Sequence, residues 1–213
     1  MVIHVKCEQG EPEWFEARAG VITASMFGEA RKKLKSGKEK GEPTKAARDY
    51  AFKLAIERIS GELLDDPEFD SWQARRGREL EPEARMKYES RTKTLVEQVG
   101  LALTDDRKFG CSLDGIISDK KTLEIKCFLS PSKIKNIILN RDIGECIDQV
   151  QGGLWITGAE YCDFVLYCPA LKSIEKDMTI ITIERDNDYI EKLELDLLEF
   201  ESLVNNYVEQ IKK

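Results

Sequence analysis

Histidine is nearly absent: His4 is the only one in 213 residues. A Ser-His-Asp triad or a histidine-based zinc site would have to be built around that residue, with no second imidazole to complete it. Long apolar runs are missing too. No stretch approaches the roughly 18 residues that a membrane span needs, and "MVIHVKCEQGEPEWF" has no apolar core of a signal peptide. A soluble, cytoplasmic chain with no membrane partner is expected. The six cysteines, Cys7, Cys111, Cys127, Cys146, Cys162 and Cys168, contain no C-x-x-C pair. In a chain of this length they read as reduced, mostly buried thiols; Cys162 and Cys168 lack the clustered spacing of an iron–sulfur site. No repeat or low-complexity segment interrupts what reads as one domain over 1–213.

Charge is plentiful but unevenly spread. The formal net charge of −7 argues against nucleic acid only if its distribution is ignored. Residues 184–213 carry nine acids and four bases, whereas residues 31–53 carry nine bases and three acids. The basic run reads either as a solvated helix and loop or as a local surface that tracks phosphates, with Lys32, Lys33 and Lys35 its densest part.

Apolar spacing predicts a short helix at Pro12–Arg18 and another capped by Thr23 or Ser25 and running to about Leu34. A Gly- and Lys-rich loop follows, then a helix from Thr44 to Ser60 and one from about Ser71 to Glu89. Strands are expected at about 94–104, 111–117 and 121–127. Helical stretches then begin at Ser130 and near Glu145, "YCDFVLYCP" and "MTIITIE" read as strands, and an amphipathic helix occupies the tail from Asn187. This order implies an α/β core with helices on both sides.

The informative stretch is "SLDGIISDKKTLEIKC", residues 112–127, an apolar hairpin that carries Asp114, Glu124 and Lys126. Alternate residues of a strand share a face, so Glu124 and Lys126 project together while Ile125 turns to the core. Asp114 comes close to Glu124 if the turn falls near 118–121. Two adjacent carboxylates suit a hard divalent cation held through oxygen, with Lys126 beside the attacking water. That describes a phosphodiester-hydrolysing site. A cross-strand salt bridge on an exposed sheet face fits the spacing as well.

Five blocks add to this reading: "EWFEARAGVITAS" (13–25), "RGRELEPEARMKYE" (76–89), "GCSLDGI" (110–116), "LEIKC" (123–127) and "DQVQGGLWIT" (148–157). Together they resemble the lambda-type phage exonucleases, the YqaJ-like branch of the PD-(D/E)xK nuclease superfamily, from Glu8 to the C-terminal helix. The resemblance implies a restriction-endonuclease-like core, a central mixed β-sheet flanked by α-helices. A helical part at about 12–90 would precede a catalytic sheet core at 94–185 and a helix at 187–212. It further implies a Mg²⁺-dependent (Mn²⁺ possible) 5′-to-3′ exonuclease on double-stranded DNA ends, a ring-shaped homotrimer, and a single-strand annealing protein as partner in phage recombination. Carried over by position, Asp114, Glu124 and the Ile125 carbonyl become metal ligands and Lys126 the water-activating lysine. Glu81 becomes an additional acid near the metal and Gln149 a glutamine beside the site. Arg18, Ser25 and Ser112, together with Gln149, become the pocket for a terminal 5′-phosphate, where a guanidinium and hydroxyls suit phosphate oxygens. Leu113 stands where the superfamily name has proline. Ala74 falls where the lambda-type enzyme has an apolar strand-parting wedge, with Trp72 nearby. An endonuclease of the same superfamily and a catalytically silent DNA-binding protein are the other readings. Intact Asp114, Glu124, Lys126 and Glu81 argue against silence.

Overall fold

The structure, a computed structural model, describes residues 2–5, 7, 9–64 and 72–213. Pro12 opens α1 (Pro12–Arg18) in the first turn, where its missing N–H costs nothing. The helix expected from Thr23 or Ser25 to Leu34 is not formed. Ile22–Thr23 is a short strand, residues 24–26 make a 3₁₀ turn, and α2 spans only Phe27–Ala30. The Thr23 hydroxyl faces the Ser25 hydroxyl at 3.3 Å, and neither caps a helix. The first part of the basic run, up to Thr44, is a loop folded on itself, with a bridge between Lys33 and Pro43, and the rest lies in the next helix. Thr44 accepts the Ala47 N–H at 3.2 Å and starts α3 (Lys45–Ser60), as its sequence suggests. The helix expected from Ser71 is α4 (Trp72–Thr92); Ser71 itself lies outside the described residues. α5 (Pro131–Asn140) and α6 (Ile147–Thr157) follow, and Asp186 caps Tyr189 to open α7 (Asn187–Ile211).

Among the described residues the strands form two mixed sheets of four. The first contains β1 (Ile3–Val5), β2 (Ile22–Thr23), β3 (Leu101–Leu103) and β4 (Phe109–Cys111), in the order β1-β3-β4-β2. The second contains β5 (Gly115–Ser118), β6 (Lys121–Lys126), β7 (Tyr161–Tyr167) and β8 (Met178–Glu184), in chain order. Only β2–β4 and β6–β7 are parallel. The mixed sheet and helical flanks were expected; the division into two sheets was not. The strand expected at 94–104 shrinks to β3, and residue 97 instead bridges Ile116 of the second sheet. The strand expected at 111–117 breaks at 112–114, because Leu113 buries in the core beside the first sheet while β5 pairs with β6 in the second. That crossing places Ser112 and Asp114 side by side between the sheets.

The second sheet is packed on both faces. Ala84 and Tyr88 of α4 cover Leu123, Ile125, Val165 and Tyr167, while Ile137, Val150 and Leu154 of α5 and α6 cover Cys162, Phe164 and Leu166. Glu124 and Lys126 alternate with Leu123 and Ile125, so they face α6. α7 lays Leu193, Leu197, Phe200 and Val204 against α3 and the first sheet. Each fully buried side chain of this kind contributes roughly 1.5–3 kcal/mol, so α7 is fastened by its apolar stripe. All six cysteines are free thiols. No helix among the described residues is long and apolar enough to cross a membrane.

Candidate active site

β5 and β6 pair in antiparallel register at Gly115 and Leu123. A side chain at Gly115 would place its Cβ 2.1 Å from Val96 Cγ1, so the hairpin closes there only with glycine. Beyond that pair β5 has ended, and the Ile125 N–H has no strand partner on that edge. Asp114 Oδ2 accepts it at 2.6 Å. In an antiparallel strand the N–H and C=O of one residue point to the same edge, so the Ile125 carbonyl lies on the edge where its N–H meets Asp114.

Glu124 is buried, which rules out the exposed salt-bridge alternative for this strand. Its Oε1 accepts from Lys126 Nζ at 2.6 Å and from Gln149 Nε2, in the first turn of α6, at 2.6 Å. Burial acts to lower the pKa of the Lys126 ammonium, but the Glu124 and Asp114 carboxylates outweigh it and hold it above the ordinary lysine range. Burial raises the Asp114 carboxyl well above its usual range, and the charges on Glu124 and Glu81 push it the same way. Glu81 on α4 is raised chiefly by burial, offset by its ion pair with Arg85 and reinforced by Glu124.

Three acids thus crowd one place, and their mutual repulsion is relieved only in part by Lys126 and Arg85. Asp114, Glu124 and the edge carbonyl of Ile125 offer the oxygen donors that Mg²⁺ or Mn²⁺ accepts, water completing the rest. Among the described residues no group of three or more acidic, histidine or cysteine side chains stands as a ready ligand cluster. The fit is therefore to a hydrated hard cation on two carboxylates, with Glu81 close by.

A cleft of about 690 Å³ is lined by every residue carried over for the reaction: Arg18, Ser25, Glu81, Ser112, Asp114, Glu124, Ile125, Lys126 and Gln149, and also Ala74. The Arg18 guanidinium lies over the Trp14 ring at 4.6 Å, and Trp14 Nε1 donates to Ser112 Oγ at 3.1 Å. Trp14 therefore ties two of the phosphate-pocket candidates together. Its signal was present in the sequence, four residues before Arg18 and on the same helical face. Gln9 also lines the cleft and donates to the Leu113 carbonyl at 3.1 Å, and Arg78 of α4 joins the wall. Neither residue carried a sequence signal of its own.

Lys32, Lys33, Lys35 and Trp72 do not line this cleft. Lys32 pairs with Glu29 at 2.8 Å and Lys33 with Glu199 of α7 at 2.6 Å. Arg31 spans Asp148 and Asp196, and Arg58 makes a two-pronged pair with Glu201. Two of the nine bases of the run, Arg31 and Lys33, thus meet acids of α7, Asp196 and Glu199, and Lys32 meets a nearer acid, Glu29.

The YqaJ-like viral recombinase domain matches residues 13–160. An alkaline exonuclease from Laribacter hongkongensis, LHK-Exo, is 30% identical over 95% of this chain and 96% of its own, with a TM-score of 0.78. Its complex with dAMP gives 0.82 at the same identity and coverage. A phage related exonuclease from Haemophilus somnus 129PT shares the fold at 19% identity and a TM-score of 0.58, over 98% and 96% of the two chains. No curated protein matches the sequence. With the family's blocks converging on one cleft, the chain belongs to the YqaJ-like viral recombinase family, nucleases of the lambda exonuclease type.

Proposed function

We propose that the protein is a divalent-metal-dependent 5′-to-3′ exonuclease that degrades one strand of linear double-stranded DNA. It releases 5′-phosphomononucleotides and leaves 3′ single-stranded tails for recombination by strand annealing. The observation that carries this reading is one cleft holding both an acid–lysine cluster and a separate guanidinium–hydroxyl group. An endonuclease has no use for a second phosphate-binding group that reads a strand end. That LHK-Exo is known in complex with dAMP, a nucleoside monophosphate, agrees with the proposed product.

Arg18, Ser25 and Ser112 hold the terminal 5′-phosphate, and Trp14 fixes the spacing between Arg18 and Ser112. Asp114, Glu124 and the Ile125 carbonyl hold Mg²⁺ or Mn²⁺, with Glu81 beside them. When bound, the ion polarises the scissile phosphate and favours ionisation of water. Lys126, whose Nζ reaches Glu124 at 2.6 Å, stands beside the attacking water and orients or activates it as the nucleophile. A cation there also offsets the charge that builds on the phosphate oxygens. Gln149 keeps Glu124 in its rotamer. The same reading places the protein as a ring-shaped homotrimer threaded by duplex and working with a single-strand annealing protein. Its setting is the cytoplasm of a bacterium carrying the phage or prophage.

Linear and covalently closed duplex DNA, each with Mg²⁺ and with EDTA, test the reading. Mononucleotides from the linear form alone, and only with Mg²⁺, are expected. Cutting of closed circles would favour the endonuclease, and metal-independent digestion would remove the ion.

A further inference from the structure

From the way α3 grips the chain between Arg18 and Ser25, we infer that Glu57 and Arg58 are positioning residues for recognition of the strand end; this rests on the proposed 5′-phosphate pocket. Neither residue lines the catalytic cleft. Both close on a single glycine. Glu57 Oε2 accepts the Gly20 N–H at 3.0 Å, and Arg58 Nε donates to the Gly20 carbonyl at 2.9 Å. Gly20 adopts φ +70°, and a Cβ there would lie 2.6 Å from Arg58 Cγ. The turn is therefore held by two side chains that leave no room for a third.

The turn's position gives the grip its effect. The Val21 N–H donates to the Arg18 carbonyl at 3.1 Å, so the Gly20 turn closes directly on Arg18 at the end of α1. On the other side the chain enters β2, where the Tyr50 hydroxyl meets the Thr23 N–H at 3.4 Å and the Thr23 hydroxyl meets Ser25. Tyr50 and Glu57 are seven residues apart, two turns on one face of α3. One helical face thus fixes the backbone between the guanidinium and the hydroxyl of the pocket. Glu57 is itself 1% exposed and its other oxygen accepts the Leu64 N–H at 3.1 Å. Arg58 is held in turn by both oxygens of Glu201 at 2.9 and 2.7 Å. A pocket that must tell one phosphate from another needs fixed donors, and a buried carboxylate and a doubly held guanidinium fix the turn that joins two of them.

The test is the ratio of kcat/KM on 5′-phosphorylated duplex to that on 5′-hydroxyl duplex, measured for wild type, Arg18→Ala, Glu57→Gln, Gly20→Ala and Arg18→Ala/Glu57→Gln. The glutamine amide has one acceptor oxygen, so it can serve either the Gly20 or the Leu64 N–H, not both. We expect Glu57→Gln and Gly20→Ala each to reduce the ratio by about threefold or more. The double variant should show no loss of ratio beyond Arg18→Ala alone, as coupled residues do. A purely structural role lowers both rates together and leaves the ratio unchanged; that result in both Glu57→Gln and Gly20→Ala overturns the inference. So does a Glu57→Gln loss that adds in full to that of Arg18→Ala. A wild type with no end preference and a flat Arg18→Ala response removes the pocket itself, a failure distinct from that of the α3 grip though it takes the grip's role with it.

Discussion

Gln149 and Glu124 share a hydrogen bond of 2.6 Å that lands on the same carboxylate oxygen Lys126 reaches at 2.6 Å. Glu124 is thereby held from the helix side and from its own strand, with its orientation fixed before any ligand arrives. Removing the amide in Gln149→Leu frees one of those restraints without changing charge. Loss of a partner that orients a ligand typically costs 10–100-fold in metal affinity or activity. We expect a fall in that range, partly recovered by raising Mg²⁺. A Mg²⁺ titration in which Gln149→Leu matches wild type would show that Lys126 alone suffices to hold Glu124.

Lys126→Ala leaves Asp114, Glu124 and Ile125 in place. Hydrolysis should fall by about 10²-fold or more, the range for a positioned side chain acting on a proton or nucleophile. Folding and metal-dependent DNA binding should persist. Single-turnover rates and a binding titration on the same preparation separate the two, and normal digestion by this variant would end Lys126's assigned role.

A terminal phosphate monoester carries more charge than an internal diester, and Arg18 is the charged member of the proposed pocket. Loss of a charge-assisted bond of roughly 1.5–3 kcal/mol slows reaction about tenfold to a hundredfold. Duplexes with 5′-hydroxyl ends should be degraded more slowly by that factor, and in Arg18→Ala that preference should shrink. Equal wild-type rates would place end recognition elsewhere.

The basic run leads to a smaller expectation than its composition suggests. Lys32 and Lys33 already hold Glu29 and Glu199. Each phosphate contact contributes about 0.9 to the slope of log K against log salt, so three contacts would contribute about 2.7. We expect replacement of Lys32, Lys33 and Lys35 by Gln to reduce the slope by less than about 1. A reduction near 2.7 would put all three lysines on the DNA backbone.

Asp114 makes a prediction about pH. Burial first, then Glu124 and Glu81, raise its folded pKa above the unfolded value of about 3.9. Between those two values the folded chain binds more protons than the unfolded one, so this contribution to stability declines as pH rises through the window and levels off above the folded pKa. Without metal, the Tm difference between wild type and Asp114→Asn should therefore move against wild type from pH 4 upward. Mg²⁺ should raise the wild-type Tm more at pH 8 than at pH 5, since protons compete for the same oxygen. Scanning fluorimetry reads both, and an equal Mg²⁺ shift in Asp114→Asn would take Asp114 out of the metal site.

How much of this was legible depended on how local the cause was. Asp114, Glu124 and Lys126 followed from strand alternation and one hairpin, and Thr44 from capping chemistry. Arg18, Ser25 and Ser112 came only from the family blocks, since nothing nearby in sequence says that residues 18 and 112 meet. Ser25 was misplaced at a helix start because Thr23 and Ser25 are good caps, yet their hydroxyls face each other and Ile22–Thr23 pairs with β4 instead. Gln9 was invisible: its contact with the Leu113 carbonyl spans 104 residues. The partners of the basic run were equally out of sight: Lys33 and Glu199 of α7 are 166 residues apart.

That pairing also sets an order of events during synthesis. Lys33 and Glu199 are 166 residues apart, and at translation speeds of roughly 5–20 residues per second the second follows the first by roughly 8–33 s. Until then Arg31 and Lys33 of the nascent chain lack the α7 acids, Asp196 and Glu199, that they hold in the folded protein. α7 emerges after the segments it fastens, and its acids withdraw that charge from nonspecific contact with nucleic acid. The acidic helix is in effect a built-in rival of nucleic acid for two of the basic run's residues, Arg31 and Lys33.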